Sequence, residues 1–178
     1  KEAYLLLDSP GGRVFDGARL VAWMKDSPMK VHTVCDGMCA SMAAHLFEAG
    51  KIRYMTSKST LMFHPASGGV QGTLEQMSSR LTFITTFVDR MDANAAERAG
   101  IDYNEFKRRT LVEYWVETED AVGNGLADGV AFISYARDSK KSLDLDEEMR
   151  KAKRIIPASL KKIGVLTLET IRLEESKQ

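Results

Sequence analysis

Short apolar runs alternate with segments of helical periodicity along this chain, and that alternation limits the folds available to it. Residues 3–8 read AYLLLD and are followed by the turn sequence SPGG at residues 9–12, as is typical of a fully buried strand. Residues 14–27 then carry apolar side chains near helical spacing and stop before Pro28. Strands that alternate with helices in this way predict an α/β domain with a mostly parallel sheet.

The alternation continues to about residue 136, and its longest helical pattern lies at residues 73–99. The apolar residues of that pattern recur at spacings of three and four: Leu74, Met77, Leu81, Ile84, Val88 and Met91. Further strands are predicted at residues 30–35, 51–56, 60–64, 114–116 and 128–134, and further helices at 40–49, 103–110 and from 118 onward. We therefore expect one folded domain at residues 1–136.

Composition argues against several classes of function. The chain has 178 residues, of which 44% are hydrophobic, enough for the core of one globular domain. Its 25 basic and 25 acidic residues balance, so we expect no general attraction to nucleic acid or to a membrane surface. The apolar runs are shorter than a membrane span, and none resembles a secretory signal peptide. We expect a cytoplasmic protein without a metal or another cofactor.

Two segments differ from the rest of the chain. Residues 137–178 are dense in charge, which indicates a surface appendage, either a docking segment or a partly disordered one. Cys35 and Cys39 are spaced as C-x-x-x-C, which matches neither a zinc half-site nor a redox C-x-x-C pair. Both cysteines are therefore predicted to be buried free thiols in a reducing compartment.

Ser41 is the first candidate for chemistry, because it falls where a strand gives way to a helix in the run DGMCASMAAHL. A serine at this place is commonly a helix N-cap. It can also be a nucleophile on a strand-to-helix turn, where the N–H of the next residue, Met42, points at a developing oxyanion. A nucleophilic serine needs a base, so the histidines decide between the two roles.

The chain has three histidines. His32 lies in the middle of a strand and is predicted to be a hydrogen-bonded sheet residue. His45 follows Ser41 by one helical turn and is a formal rival as base, although the apolar residues around it favour packing. His64 ends a strand and precedes Pro65, and strand ends of parallel sheets are where sites are commonly built. His64 is the best candidate on position, although a hydrogen-bonded strand-end histidine remains an alternative.

Three motifs in order resemble the signatures of the ClpP-like serine peptidases. They are SPGG at residues 9–12, DGMCASMAA at 36–44 and LMFHPASGGVQGT at 61–73, and the resemblance extends over residues 3 to about 133. It implies the ClpP/crotonase fold, a repeated β-β-α superhelix within the α/β class, with a long handle helix at about 73–99. It also implies hydrolysis of peptide bonds by a Ser-His-acid triad through an acyl-enzyme.

The resemblance assigns the family's catalytic roles to individual residues of this chain. The resemblance implies Ser41 as nucleophile, His64 as general base, and the backbone N–H groups of Gly11 and Met42 as oxyanion donors. Counting back from the segment ETEDAVGNGLAD places Glu113 where the family usually has the aspartate of its triad. Related phage capsid proteases carry an E-T-W element there, which EYW at residues 113–115 resembles.

Other consequences of the resemblance concern the acid, the substrate and the assembly. An exposed Glu113, with Glu117 or Glu119 as the acid, is the alternative left open. A peptide substrate would bind extended, along residues that include Gly12, Gly68, Gly69 and Val70. The long helix implies a homo-oligomeric ring, with two rings stacked through their handles, although its apolar stripe could equally be core.

The sequence starts only eight residues before the SPGG motif, whereas the family has strand and helix elements upstream of that motif. Either those elements were left out of the numbered chain, or this member lacks them. If this member lacks them, the axial loops that admit substrates in the family are absent too, and no dependence on an AAA+ unfoldase is expected. If they were only left out, an AAA+ unfoldase is the partner that the resemblance implies. Two alternatives therefore stand beside a ring peptidase. One is a phage-type capsid maturation protease that acts without an unfoldase, and the other is a crotonase-fold protein that is inactive or processes acyl thioesters.

Overall fold

The computed structural model describes residues 1–133 and the short strand at residues 166–167. Apart from that strand, the charged segment predicted as an appendage, residues 137–178, lies outside the described residues. The strands are β1 (Glu2–Ser9), β2 (Lys30–Ala40), β3 (Arg53–Thr56), β4 (Thr60–Phe63), β5 (Tyr114–Glu117), β6 (Gly129–Phe132) and β7 (Leu166–Thr167). The helices are α1 (Val14–Asp26), α2 (Met42–Glu48), α3 (Leu74–Ala99), α4 (Tyr103–Thr110) and α5 (Thr118–Gly123).

The strands form one sheet in the order β5-β4-β2-β3-β6-β7, with β1 also paired to β2. Every recorded strand pair is parallel except the pair of β4 with β5. An antiparallel edge strand on an otherwise parallel sheet is common in α/β folds. The predicted α/β class with a mostly parallel sheet is therefore confirmed.

Strand β2 is the centre of the sheet, and it is longer than the sequence predicted. Residues 31–35 are buried without a break, as expected for a strand covered on both faces. The strand continues to Ala40, so it also pairs with β4 after it has passed β3. Cys35 and Cys39 lie on this strand and are buried and free, as predicted.

Helix α3 matches the predicted long helix, and its two ends follow known signals. Thr73 and Gln76 form a reciprocal capping box at the start, and Gly100 ends the helix in the left-handed conformation with φ of 68°. Val88 is the first buried residue of its apolar stripe. Before that point Met77, Ile84 and Phe87 are half-buried, and three large apolar side chains are exposed, namely Leu74 at 77%, Phe83 at 58% and Leu81 at 52%. No helix in the described part of the chain is long and apolar enough to cross a membrane.

An aromatic cluster lies beneath the end of β4. The ring of Phe63 packs edge to face on Phe106, with 5.2 Å between ring centroids. Its centroid lies 6.4 Å from that of Tyr114 and 5.6 Å from that of the His45 ring. Phe63 and Phe106 are fully buried. Such rings are large and have few rotamers, so they fix the backbone to which they are attached. The cluster therefore sets the position of the residue that follows Phe63.

A buried ion network fixes the other end of α2. The Arg53 guanidinium donates to Glu48 at 2.5 Å and, through two nitrogens, to Asp128 at 2.7 Å and 3.0 Å. Arg53 is 3% exposed and also donates to the Gly125 carbonyl at 3.0 Å. Burial raises the pKa of Glu48 to about 7, although Arg53 acts in the opposite direction. The network joins α2, β3 and the turn before β6.

Candidate active site

Ser41 lies between the end of β2 and the start of α2 in a strained backbone conformation. With φ of 56° and ψ of −125°, it is the only residue other than glycine that has positive φ in the described part of the chain. Such a conformation costs roughly 1–3 kcal/mol and persists only where the surrounding structure enforces it. Ser41 holds the N-cap position of α2, yet its side chain makes no capping hydrogen bond. Its hydroxyl therefore does not perform the capping role that the sequence left open.

His64 directly follows β4, and its ring reaches Ser41. Nε2 of His64 lies 2.8 Å from Oγ of Ser41. Strand pairing produces this approach, because Ala40 of β2 is opposite Met62 of β4 and the Ser41 N–H donates to the Met62 carbonyl at 2.7 Å. The carboxyl ends of two parallel neighbouring strands meet at one edge of the sheet. The structure thus brings the predicted nucleophile and base together.

The turn after β1 reaches the same edge. Gly11 has φ of +107°, and a Cβ at this residue would lie 2.7 Å from Ser41 Cβ and 3.0 Å from the Met42 nitrogen. Only glycine fits so close an approach at this φ. Met42 is the first residue of α2, where backbone N–H groups have no intrahelical acceptor. The backbone of Gly11 is therefore packed against the Ser41-Met42 peptide.

The N–H of Gly11 has a local partner. It donates to the Oγ of Ser9 at 3.1 Å, across a turn of two residues. An N–H group carries one hydrogen, so this bond must weaken or be shared when Gly11 binds another acceptor. The predicted role of Gly11 as an oxyanion donor stays a prediction, as does that of Met42.

Glu113 is exposed, and a neighbouring indole holds its carboxylate. The Nε1–H of Trp115 donates to Oε2 of Glu113 at 2.7 Å. Phe63 pairs with Tyr114 at the end of the β4–β5 ladder, so one further step along the antiparallel strands places Glu113 opposite His64. Opposite residues project from the same face with Cβ atoms about 4.5–5.5 Å apart. No hydrogen bond between Glu113 and His64 is present among the described residues, and the role of Glu113 stays a prediction.

The two alternative acids lie farther along the chain from His64. Glu117 is opposite Thr60, four residues before His64 on β4. At about 3.3 Å per strand residue, that separation is roughly 13 Å. Glu119 lies beyond Glu117, in the first turn of α5. The strand register therefore favours Glu113 over both alternatives.

The residues predicted to line a substrate groove lie next to these segments. Gly12, Gly68 and Gly69 are exposed and have open space where a Cβ would stand, and Val70 is half-buried. The resemblance implies that a peptide binds extended along this segment, but residues 64–73 themselves contain no strand in the described structure. Glycine weakens a strand because it loses more backbone entropy and offers no side chain to pack. This segment runs beside the candidate site without sheet pairing.

A buried polar cluster lies behind His64, and the sequence reasoning missed it. Nε2 of His45 is 3.4 Å from Oδ1 of Asp92, a residue of α3. The other Asp92 oxygen accepts a hydrogen bond from Lys107 at 3.0 Å, and Lys107 also donates to Asp89 at 2.9 Å. The available signal was an aspartate on the core-facing side of α3, where a buried carboxylate needs a partner.

Burial controls the protonation of this cluster. It lowers the pKa of His45 to about 4, and the positive charges of His64 and Lys107 act in the same direction. Burial also raises the pKa of Asp92, against the hydrogen bond from Lys107. His45 is therefore neutral near pH 7, and its Nε2 faces Asp92 rather than Ser41. These contacts argue against His45 as the base.

His32 is buried in β2, as its mid-strand position predicted, but its environment differs from the expectation. It is 3% exposed and stacks on the Tyr4 ring with 5.0 Å between centroids. Neither ring nitrogen has a hydrogen-bond partner among the described residues, and the Glu2 carboxylate is 3.7 Å away. The prediction that the His32 ring is hydrogen-bonded is therefore wrong. Its ring is held by packing.

Comparison with known proteins gives consistent matches. The Clp protease family model matches residues 1–134. The chain is 33% identical over 130 residues to ATP-dependent Clp protease proteolytic subunit 1 of Prochlorococcus marinus (strain MIT 9312), which covers 72% of this chain and 67% of that protein. It is 32% identical over 132 residues to ATP-dependent Clp protease proteolytic subunit 2 of Synechococcus sp. (strain CC9605), which covers 73% of this chain and 67% of that protein.

The low pKa of His45 predicts an acid-sensitive component of stability. Between about pH 6.5 and pH 4 the unfolded chain binds the His45 proton and the folded chain does not, so the free energy of unfolding falls as the pH falls. Substitution His45→Gln removes this component. We expect the difference in free energy of unfolding between the native protein and the variant to shrink across this window, by up to about 3 kcal/mol.

Urea unfolding of both proteins at a fixed protein concentration, from pH 8 to pH 4.5, measures this difference. Between pH 7 and pH 8 the difference should be constant, which serves as the internal control. A difference that is also constant from pH 7 down to pH 4.5 would show that His45 is protonated equally in both states.

Proposed function

The chain belongs to the Clp protease family, as its motifs indicated, and we propose that it is a serine endopeptidase that works through an acyl-enzyme. The observation that carries this proposal is the 2.8 Å separation between Ser41 Oγ and His64 Nε2. The strained backbone of Ser41 supports it, since strain concentrates at active sites. The close approach of Gly11 to Ser41 supports it further.

The proposed reaction begins with attack on a peptide carbonyl. His64 Nε2 takes the proton from Ser41 Oγ as the new oxygen–carbon bond forms and the carbonyl electrons move onto oxygen. Collapse of this intermediate breaks the carbon–nitrogen bond, and His64 gives its proton to the leaving amine. Water then repeats the sequence, with His64 as base, and releases the carboxylic acid and free Ser41.

Stabilisation of the oxyanion is assigned to the N–H groups of Gly11 and Met42. A developing negative charge attracts an N–H more strongly than a neutral hydroxyl does, so the Gly11 N–H can turn from Ser9 to the substrate. Glu113 is the proposed acid, and the register of β4 with β5 supports it, because one step beyond the Phe63–Tyr114 pair would bring Glu113 opposite His64 on the same face. Its carboxylate would accept the other ring N–H of His64 and hold the required tautomer.

The substrate is proposed to be an extended polypeptide that lies along Gly12 and residues 68–70. Glycines leave backbone N–H and carbonyl groups uncovered, which suits recognition by strand addition. A crotonase-type reaction on an acyl thioester would not need the serine–histidine contact, and that contact therefore favours the peptidase. Glu113 and Trp115, in contact as part of the EYW element, favour a phage-type maturation protease as the second candidate.

We propose a ring-shaped homo-oligomer in the cytoplasm. The buried free cysteines suit a reducing compartment. The apolar side chains on the first half of α3, including Leu81 at 52% and Phe83 at 58% exposure, would be covered where two rings meet. An AAA+ unfoldase as partner would follow from the family, whereas the phage-type alternative acts without one.

Active-site labelling tests the nucleophile. A fluorophosphonate probe should label the native protein, because the probe needs a serine oxygen activated by a base. Ser41→Ala should abolish labelling, and His64→Gln should lower both labelling and peptide hydrolysis by about 10⁴-fold or more. Ser79→Ala, at an exposed serine of α3, is the control and should label normally. An unreactive Ser41 in folded, assembled protein would contradict the serine mechanism.

Substitution of Gly11 tests the oxyanion hole. In Gly11→Ala the new Cβ would stand 2.7 Å from Ser41 Cβ at a φ that disfavours alanine, so the turn must shift away from Ser41. We expect kcat for a fluorogenic peptide to fall by about 10²–10³, as for loss of one oxyanion donor. Gly123→Ala, at an exposed glycine with open space for a Cβ, should change kcat by less than about twofold. Equal kcat values for the two variants would contradict the role of Gly11 as an oxyanion donor.

Particle mass tests the assembly. Sedimentation should show the native protein as a multiple of the chain mass. The double substitution Leu81→Glu with Phe83→Glu should lower that mass by about half, because charges on the exposed part of α3 oppose burial between rings. Thr82→Glu, at an exposed polar position of the same helix, is the matched control and should keep the mass. A native protein that is a stable monomer would refute the proposed role of α3.

A further inference from the structure

The side chain of Trp115 has a position that burial does not explain. The residue lies on the edge strand β5 and is 50% exposed. A tryptophan ring usually contributes most when it is buried in a core or an interface. The recorded polar contact of this indole is the 2.7 Å hydrogen bond from Nε1 to Oε2 of Glu113. The ring is thus tied to the proposed acid of the triad.

The geometry of β5 makes this contact a local one. Glu113 and Trp115 are two residues apart on an extended chain, so their side chains project from the same face. Trp115 is opposite Met62, and the ladder ends with Tyr114 opposite Phe63. The same register continued by one residue would set Glu113 opposite His64, on the face of Trp115. Acid, base and indole would then stand in one row across the edge of the sheet.

A glutamate in this row needs an orienting partner. Its side chain has one more rotatable bond than an aspartate, so more orientations must be excluded before one oxygen faces the imidazole. The indole N–H can only donate a hydrogen bond, so it holds a carboxylate oxygen without competing with it as an acceptor. With Oε2 held by Trp115, Oε1 is the oxygen that remains for the ring N–H of His64.

We propose that Trp115 is a positioning residue of the catalytic site, which holds the Glu113 carboxylate in the orientation that pairs with His64. The proposal rests on the proposed function, in which Glu113 is the acid of the triad. Trp115 touches neither substrate nor reacting atoms in this role. It acts through Glu113 alone, and this restriction makes the role testable.

A double-mutant cycle separates this role from a structural one. We expect Trp115→Phe to lower kcat for a fluorogenic peptide by about 10-fold with little change in KM, because ground-state binding is untouched. Glu113→Gln should lower kcat by about 10²–10⁴-fold. The double variant should be no slower than Glu113→Gln alone, because Trp115 has no acid left to position. Trp23→Phe, at an exposed tryptophan of α1, is the matched control and should keep native kcat.

Fluorescence supplies a readout that needs no change at Trp115. In a Trp23→Phe background Trp115 is the single tryptophan, because the chain has two. Glu113→Gln replaces a charged acceptor with a neutral amide, so the emission maximum of Trp115 should shift. An unchanged emission spectrum would overturn the contact itself.

The outcomes distinguish the proposal from the function on which it rests. If Glu113→Gln leaves kcat near native, Glu113 is not the acid, and the positioning role falls with that assignment. If Glu113→Gln is slow but Trp115→Phe is native, or if the two losses multiply in the double variant, the acid stands and the positioning role is overturned. Native urea midpoints of unfolding in all variants would confirm that each one is folded.

Discussion

The register of β2 against its neighbouring strands brings the residues of the candidate site together. β2 pairs with β1 along one side and with β3 and then β4 along the other. The register with β1 shifts between Leu7 and Ser9, where two residues of β1 advance against four of β2. Gly37, with φ of +113°, lies in this irregularity, and the Asp8 carboxylate accepts the Met38 N–H there at 3.0 Å. Such bulges redirect strand ends, and this one lets the turn at Gly11 reach Ser41.

The same register explains why the conformation of Ser41 is tolerated. The Ser41 N–H is held by the Met62 carbonyl at 2.7 Å, and its own carbonyl accepts the N–H of Ala44 at 3.0 Å. Sheet and helix thus both constrain one residue, and a positive φ is the conformation that satisfies both. The free-energy cost of this strained backbone conformation is offset by strand pairing and by the buried core. Its hydroxyl, which is free from capping, is left to meet His64.

The sequence alone predicts those features that depend on local pattern. Helix α3 follows from apolar spacing and terminal signals, and the edge location of Ser41 and His64 follows from a parallel sheet. The contact of His45 with Asp92 could not be predicted, because it joins two helices far apart in sequence. Nor could the partner of the Glu113 carboxylate, since several rotamers of an exposed glutamate differ little in energy. The bulge beside Gly37 depends on pairing that no single segment specifies.

The bond from Gly11 to Ser9 bears on how the proposed site would favour the transition state. A free N–H in the resting site would bind a neutral carbonyl oxygen and an oxyanion alike, and equal binding of both does not raise kcat. With the Ser9 hydroxyl as acceptor at 3.1 Å, a neutral carbonyl gains little by exchange. An oxyanion gains more, because charge-assisted hydrogen bonds are roughly twice as strong as neutral ones. In the proposed mechanism the serine of the SPGG turn thereby makes the Gly11 N–H selective for the charge that develops during attack.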